Sequence, residues 1–337
     1  MVSEMKHPGP HSDLSESLSR GKSEKMTTSR PATAFRYNLV AGGLAGCVAK
    51  TVIAPLDRAK INFQSTSRRF SARALVSFLH VSYASNGLLS LWRGNTATLT
   101  RILPYAAIQY SSHERYKHLL GIDQPDLTHL HTSEIRAKRF LAGALAGTTS
   151  VACTYPLDFS RARMAVTSST KYANLLDAIK TVYREEGVLT LYRGFLPAMC
   201  GSIPYAGTAF FTFETLKEYR MNKHAKKLGH RPKKLKPFEN LCCGGFAGIL
   251  GQTASYPLDI VRRRMQTAGV TGHPEYCLSI RNTLRLVYST EGLAHGLFKG
   301  VTLNWIKGPI ASGVSFTVFH QVQTFLHLYT KWQHADR

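Results

Sequence analysis

Acidic residues are scarce in this chain of 337 residues. Twenty Asp and Glu stand against 43 Lys and Arg, a formal charge of +23, with a pI near 10.0. Cysteine is sparse too, six in all and no CxxC pair. That excludes a disulfide scaffold and a zinc-ribbon site, and it fits a compartment that keeps thiols reduced. Neither HExxH nor GxSxG occurs, and the 14 His are scattered, so no hydrolase motif speaks for an enzyme. No window of about 20 residues is free of charged or polar breaks, and the mean hydropathy is −0.14, which argues against an ordinary lipid-facing bundle. The chain does contain 44% hydrophobic residues, too many for a disordered protein. Three classes stay open on composition: a nucleic-acid binder, a basic soluble enzyme, and a transporter with polar-lined helices.

Residues 1–34 are rich in Ser, Lys, His and Pro and hold no apolar run, so a disordered tail is expected. Glu4, Asp13, Glu16 and Glu24 interrupt its basic residues, unlike a transit peptide, and no secretory core is present.

A threefold repeat organises the rest. Pro55-Leu56-Asp57 recurs as Pro156-Leu157-Asp158 and Pro257-Leu258-Asp259. A second element follows each: Asn86-Gly87 with Trp92-Arg93-Gly94, Glu186-Gly187 with Tyr192-Arg193-Gly194, and Glu291-Gly292 with Phe298-Lys299-Gly300, the last one residue longer. Gly42 and Gly46, Gly143 and Gly147, and Gly244 and Gly248 precede the prolines in one register. The unit is far longer than a solenoid repeat.

Each unit reads as helical. Tyr37 to Gln64 is interrupted only by Pro55, residues 71–84 predict a short amphipathic helix, and Asn95 to Lys117 runs through Pro104. The long segments reach roughly 33 Å at 1.5 Å per residue, enough to cross a bilayer. A mid-helix proline costs ~3 kcal/mol in a soluble helix, but in a membrane neighbouring groups re-satisfy the freed carbonyl. Six such helices around a water-filled cavity each need a polar face, which accounts for the low hydropathy.

Pro-x-Asp-x-x-(Lys/Arg), followed by an acid-Gly and an aromatic-basic-Gly element in three copies, resembles the mitochondrial carrier family over about residues 35–330. The resemblance implies an all-α membrane protein: a threefold pseudo-symmetric bundle of six tilted transmembrane helices with three short matrix helices. It implies repeats at 35–120, 135–221 and 237–330, separated by a loop at 121–134 and a basic loop at 222–236, with a tail at 331–337. The inner mitochondrial membrane is the expected location, with both termini on the intermembrane side. Inner-membrane lipid such as cardiolipin, but not nucleic acid, is the expected surroundings of a monomer that needs no cofactor or metal. Asn86 departs from the family's acid, and Ala165 stands where Gln64 and Gln266 keep a glutamine.

Asp57 and Lys60, Asp158 and Arg161, and Asp259 and Arg262 are i,i+3 pairs on one helical face. Charges inside a membrane face a bundle interior, and each acid can there meet the base of the next unit. The resemblance implies that this ring, with Gln64 and Gln266, closes the matrix side. A second, cytoplasmic ring is expected from Glu114 with Lys117 and Glu214 with Lys217. Its third copy holds His320 and Gln323, neither an acid nor a lysine.

Twelve residues before His113, Phe213 and Phe319 lie Arg101, Gly201 and Lys307. Two cations and a glycine at equivalent depth make an asymmetric pocket suited to an asymmetric anion. Lys50 is a third cation, and Val151 and Gln252 occupy its equivalents. Lys50, Arg101 and Lys307 are expected to hold phosphates, and Gly201, Ser202 and Tyr205 to offer a flat slot for adenine. The arrangement is similar to the family's adenine-nucleotide members. Arg262-Arg263-Arg264-Met265-Gln266-Thr267 breaks the run of three methionines of strict ADP/ATP exchangers, and no EF-hand occurs in residues 1–34. Longer stretches, among them Asn304-Trp305-Ile306-Lys307-Gly308-Pro309, resemble the family's coenzyme A-carrying branch. That implies exchange of coenzyme A, or dephospho-coenzyme A, for ADP or adenosine 3′,5′-diphosphate. An ATP-Mg/phosphate or ADP/ATP type of carrier is the alternative.

Overall fold

The computed structural model describes residues 31–122, 132–168, 170–228, 235–277 and 279–335. Among the described residues there are nine α-helices. Six are long: α1 (Pro31–Ser65), α3 (Asn95–Leu119), α4 (Thr132–Val166), α6 (Phe195–Leu228), α7 (Pro237–Thr271) and α9 (Val301–Ala335). Three are short: α2 (Ala72–Asn86), α5 (Leu175–Glu186) and α8 (Ile280–Glu291). Every long helix carries one internal proline, at Pro55, Pro104, Pro156, Pro204, Pro257 and Pro309.

The repeat closes on itself. The most extensive helix contacts join neighbouring units: α3 to α4, α6 to α7, and α9 back to α1. The first, third and fifth of the six long helices, α1, α4 and α7, hereafter the odd helices, also touch one another pairwise; α3, α6 and α9 are the even ones. Small side chains make the close approach. Ala41, Ala45 and Ala49, Ala142 and Ala146, and Cys243 and Ala247 are all buried. A Cβ on Gly251 would fall 2.9 Å from the Tyr205 carbonyl oxygen. The glycines at 42, 46, 143, 147 and 248 have open space beside them instead, so the packed stripe lies one residue before the repeated glycines.

The outside of the bundle is apolar. Val40, Leu44, Val48 and Val52 on α1, Phe140 and Leu141 on α4, Phe210 and Phe211 on α6, and Phe316 and Phe325 on α9 are all exposed. So large an apolar surface belongs in lipid. Val40–Ser65 is long and apolar enough to span a membrane by composition alone.

The acid-Gly and aromatic-basic-Gly element is a tight connection whose glycines adopt φ values open to few other residues. Gly87, Gly187 and Gly292 end the short helices at φ +73°, +85° and +78°, and Gly94, Gly194 and Gly300 start the next long ones at +86°, +87° and +76°. Between them, Leu88–Trp92 and Val188–Tyr192 are 3₁₀ turns. The third copy takes up its extra residue by widening Leu293–Leu297 into a π turn, in which the Phe298 amide donates to the Leu293 carbonyl at 3.2 Å.

Several helices overrun the bounds expected from sequence. α1 begins at Pro31, inside segment 1–34, whose other residues lie outside the described ones. α4 begins at Thr132 and α6 continues to Leu228, into the expected loops. Arg220 and His224 of α6 both bond Glu239 of α7, His224 Nε2 at 2.9 Å from Oε2, which ties the α6 extension to its neighbour.

Candidate functional site

At the proline end the three odd helices meet in a closed ring of ion pairs. Arg161 donates to Asp57 Oδ2 at 2.6 Å, Arg262 to Asp158 Oδ2 at 2.5 Å, and Lys60 to Asp259 Oδ2 at 2.9 Å. Each acid therefore meets the base of another unit, not the one three residues on in its own helix. Proline places the acid there because its missing N–H and the resulting kink swing the following turn inward. Gln64 Nε2 donates to Asp259 at 3.2 Å, and Gln266 Nε2 to Asp158 at 3.1 Å and to the Tyr155 hydroxyl at 2.9 Å. Ala165, at the equivalent position, is buried and has no side-chain donor to brace a carboxylate; its carbonyl accepts from Arg58 Nε at 3.3 Å.

Two cations from the even helices join the same ring. Lys307 donates to Asp57 Oδ1 at 2.9 Å. Arg101 donates to Asp158 Oδ1 at 3.2 Å and to the Thr154 hydroxyl at 3.1 Å, with its guanidinium 5.1 Å from the Tyr105 ring centre. Asp259 has no such second partner from an even helix, because Gly201 occupies the equivalent position. Lys50 is exposed on α1, in the electrostatic reach of Asp57, Lys307, Arg161 and Arg101. The three cations expected from sequence thus share one region, two of them already bonded to ring carboxylates.

Gly201, Ser202 and Tyr205 line a cleft of about 250 Å³ together with Pro197, Ala198, Gln252, Ser255, Leu258 and Asn304. Its floor reaches Asp259 and Arg262 of the ring. A Cβ on Gly201 would sit 3.5 Å from Leu258, so the glycine keeps the wall flat. Sequence reading missed Gln252, Ser255 and Asn304 as lining, although Gln252 is the third-unit equivalent of Lys50.

At the opposite end the expected pairs close within helices. Lys117 lies 3.5 Å from Glu114 and Lys217 3.4 Å from Glu214. Gln323 of α9 donates to Asn38 of α1 at 3.1 Å. The structure is shut at the proline end.

A second set of cations, unforeseen from sequence, staples one unit to the next outside the ring. Each caps carbonyls at the C-terminal end of a neighbouring odd helix, where helix ends leave acceptors unmet. Arg163 donates to the Gln266 carbonyl at 3.2 Å, and Arg264 to the Gln64 carbonyl at 2.7 Å. Both are fully buried and are anchored by Glu186 and Glu291. In the first unit the matching positions are Asn62 and Asn86. Arg93 takes over there, donating to the Met164 carbonyl at 3.1 Å and the Tyr172 carbonyl at 2.7 Å. The loss of the acid at Asn86 and of the arginine at Asn62 go together, since a buried arginine without its carboxylate is strongly destabilising. That paired swap was the available signal.

The pairing of units, the inward ring and the apolar exterior define a three-repeat membrane carrier. The sequence model for "Mitochondrial carrier protein" matches residues 32–124, 135–224 and 233–330, and the chain belongs to that family. It is accordingly a multi-pass transporter of the inner mitochondrial membrane. It is 48% identical to the mitochondrial coenzyme A transporter SLC25A42 of Homo sapiens over 322 residues, 95% of either chain. It is 51% identical to that of Rattus norvegicus over 86% of this chain and 87% of the relative. Solute carrier family 25 member 16 of Homo sapiens is 41% identical over 86% of this chain and 88% of its own.

Proposed function

We propose that this chain carries coenzyme A into the mitochondrial matrix in exchange for an adenine nucleotide such as ADP or adenosine 3′,5′-diphosphate, working as a monomer with both termini toward the intermembrane space. The observation that carries this reading is the sharing of ring carboxylates. Arg101 and Lys307 hold Asp158 and Asp57 while also lying at the depth where a substrate's phosphates would arrive. The coenzyme A transporters to which the chain is similar supply the substrate, and its chemistry matches: several phosphates for Lys50, Arg101 and Lys307, and an adenine for the slot at Gly201, Ser202 and Tyr205.

Mechanism follows from that exchange of partners. Phosphate oxygens compete with carboxylates for Arg101 and Lys307 through equally strong charge-assisted bonds. When the cations turn to the substrate, Asp57 keeps Arg161 alone as its inter-unit base, and Asp158 keeps Arg262 with Arg263 at 3.5 Å. The ring that holds α1, α4 and α7 together weakens, and the proline end, on the matrix side in this reading, can part. A ligand shifts a two-state equilibrium only by its differential affinity for the two states, and this competition is where that difference arises.

The test is transport. Purified protein in liposomes loaded with ADP should take up labelled coenzyme A well above protein-free vesicles. Uptake of ADP without coenzyme A would return the chain to an adenine-nucleotide carrier, and uptake of neither would remove the reading.

A further inference from the structure

The cleft beside Tyr205 holds two carboxamides whose bonding is unfinished. Asn304, on α9, is 8% exposed, and its Oδ1 is shut off from solvent without a hydrogen-bond partner. Gln252, on α7, lines the same cleft, and its side chain makes no hydrogen bond among the described residues; only its backbone carbonyl accepts, from Ser255 at 3.2 Å. Of the other polar lining groups, Ser202 donates to the Ala198 carbonyl at 3.2 Å, and the Tyr256 hydroxyl donates to the Lys299 carbonyl at 2.5 Å. Buried polar groups are ordinarily satisfied, so an unmet amide in a cleft points to a ligand that completes it.

We infer that Gln252 and Asn304 read the hydrogen-bonding edge of the base and make the site selective for adenine over purines with a carbonyl at C6. The inference rests on the transport reading above and deepens it. Adenine presents a donor, its 6-amino group, beside an acceptor, N7, and a side-chain amide matches that pair with its own acceptor and donor. Hypoxanthine has two acceptors side by side and offers nothing to the amide oxygen. The ring face lies along the wall that Gly201 leaves flat, against Tyr205, and Pro197, Ala198 and Leu258 supply apolar contact. The two amides come from different helices of the third unit, α7 and α9. Gln252 stands where the first unit has Lys50, so one repeat position serves phosphate on one side of the cavity and base on the other.

Uptake of ADP and of inosine 5′-diphosphate by the reconstituted full chain tests this. Wild type should prefer ADP by roughly 10- to 100-fold. In Asn304→Leu and in Gln252→Leu the ratio should fall toward one. Thermal stabilisation by pyrophosphate, which has no base, should persist in both and shows that fold and phosphate site survive. If Asn304→Leu does not fold, Gln252→Leu carries the test alone. Equal uptake of the two nucleotides by wild type, or a preference kept in the folded variants, overturns the inference while leaving the transport reading standing. A wild type that moves neither ADP nor coenzyme A overturns both.

Discussion

Arg101 and Lys307 each bond a ring carboxylate and, in the proposed reading, a substrate phosphate, and their loss should separate the two. Each ring carboxylate keeps an inter-unit partner when its even-helix cation is removed, Arg262 for Asp158 and Arg161 for Asp57. Arg101→Ala and Lys307→Ala should therefore stay folded in detergent, with melting temperatures near wild type, while exchange falls to background. Normal exchange by both variants would remove them from the site. Lys50 differs, since no ring carboxylate holds it. Lys50→Met should weaken coenzyme A and ADP more than AMP, because its contribution scales with phosphate charge. An equal loss for coenzyme A and AMP in competition assays would make it a structural lysine. That these three cations share one region was legible from their placement along the helices. That two of them rest on Asp57 and Asp158 was not, because the partners lie on other repeats.

The short helices and the ends of the odd helices form the structural girdle of the carrier. Gly269 of α7 lies under the Arg163–Glu186 pair, where a Cβ would be 2.6 Å from the guanidinium and 3.0 Å from a carboxylate oxygen. Gly269→Ala should destabilise by about 2 kcal/mol as an overpacked contact, read as a lower melting temperature of the solubilised protein. Glu186, on α5, is held below its ordinary value of 4.5 mainly by the hydrogen bond from Arg163. Burial pushes Glu291, on α8, upward, and Lys299 and Arg264 outweigh it, so its carboxyl is also held low. A lowered folded-state value means that the unfolded chain binds more protons between the two values, so stability rises with pH there. The contribution is present above about pH 4.5 and is lost as the pH falls through the depressed values. Thermal melts should thus be insensitive to these groups near neutrality and drop on acidification. Glu186→Gln should lower stability at neutral pH, by about 3 kcal/mol for an arginine left without its partner, and flatten the acid-side slope. A melt unaltered at pH 7 in that variant would remove the girdle argument. The element boundaries themselves were legible only in part. The glycine and proline positions marked where helices start and bend, but α6 runs on to Leu228 because Glu239 of another helix holds Arg220 and His224.

For the whole molecule, the two rings are unequal. At the proline end all three aspartates pair with bases of other units, whereas at the other end the third unit offers His320 and Gln323. A partly exposed pair contributes only ~0–1 kcal/mol, yet each 1.4 kcal/mol is a tenfold change in population. The empty carrier should rest shut at the proline end. Installing His320→Asp with Gln323→Lys should favour the opposite state. A single cysteine placed above Arg101 should then react more slowly with an impermeant thiol reagent added from the intermembrane side. An unchanged labelling rate would show that the missing pair does not set the balance.

Periodicity made the architecture a property of the chain by itself. Three copies of one proline–acid–glycine pattern mark a triplicated helical unit, and its resemblance to the mitochondrial carrier pattern implies the threefold bundle with lipid outside and a polar interior. Spacing along a helix also placed the cations and the Gly201 slot at one depth, because rise per residue is constant. What the chain alone left open was every pairing between units. Asp57 finds Arg161 rather than Lys60, Arg163 reaches α7, and Lys307 comes back to Asp57. These partners are 104, 103 and 250 residues apart, and only the packing of each unit on the next, with α9 closing onto α1, brings them within reach. Local sequence sets which side chains face inward; the ring geometry decides whom they face.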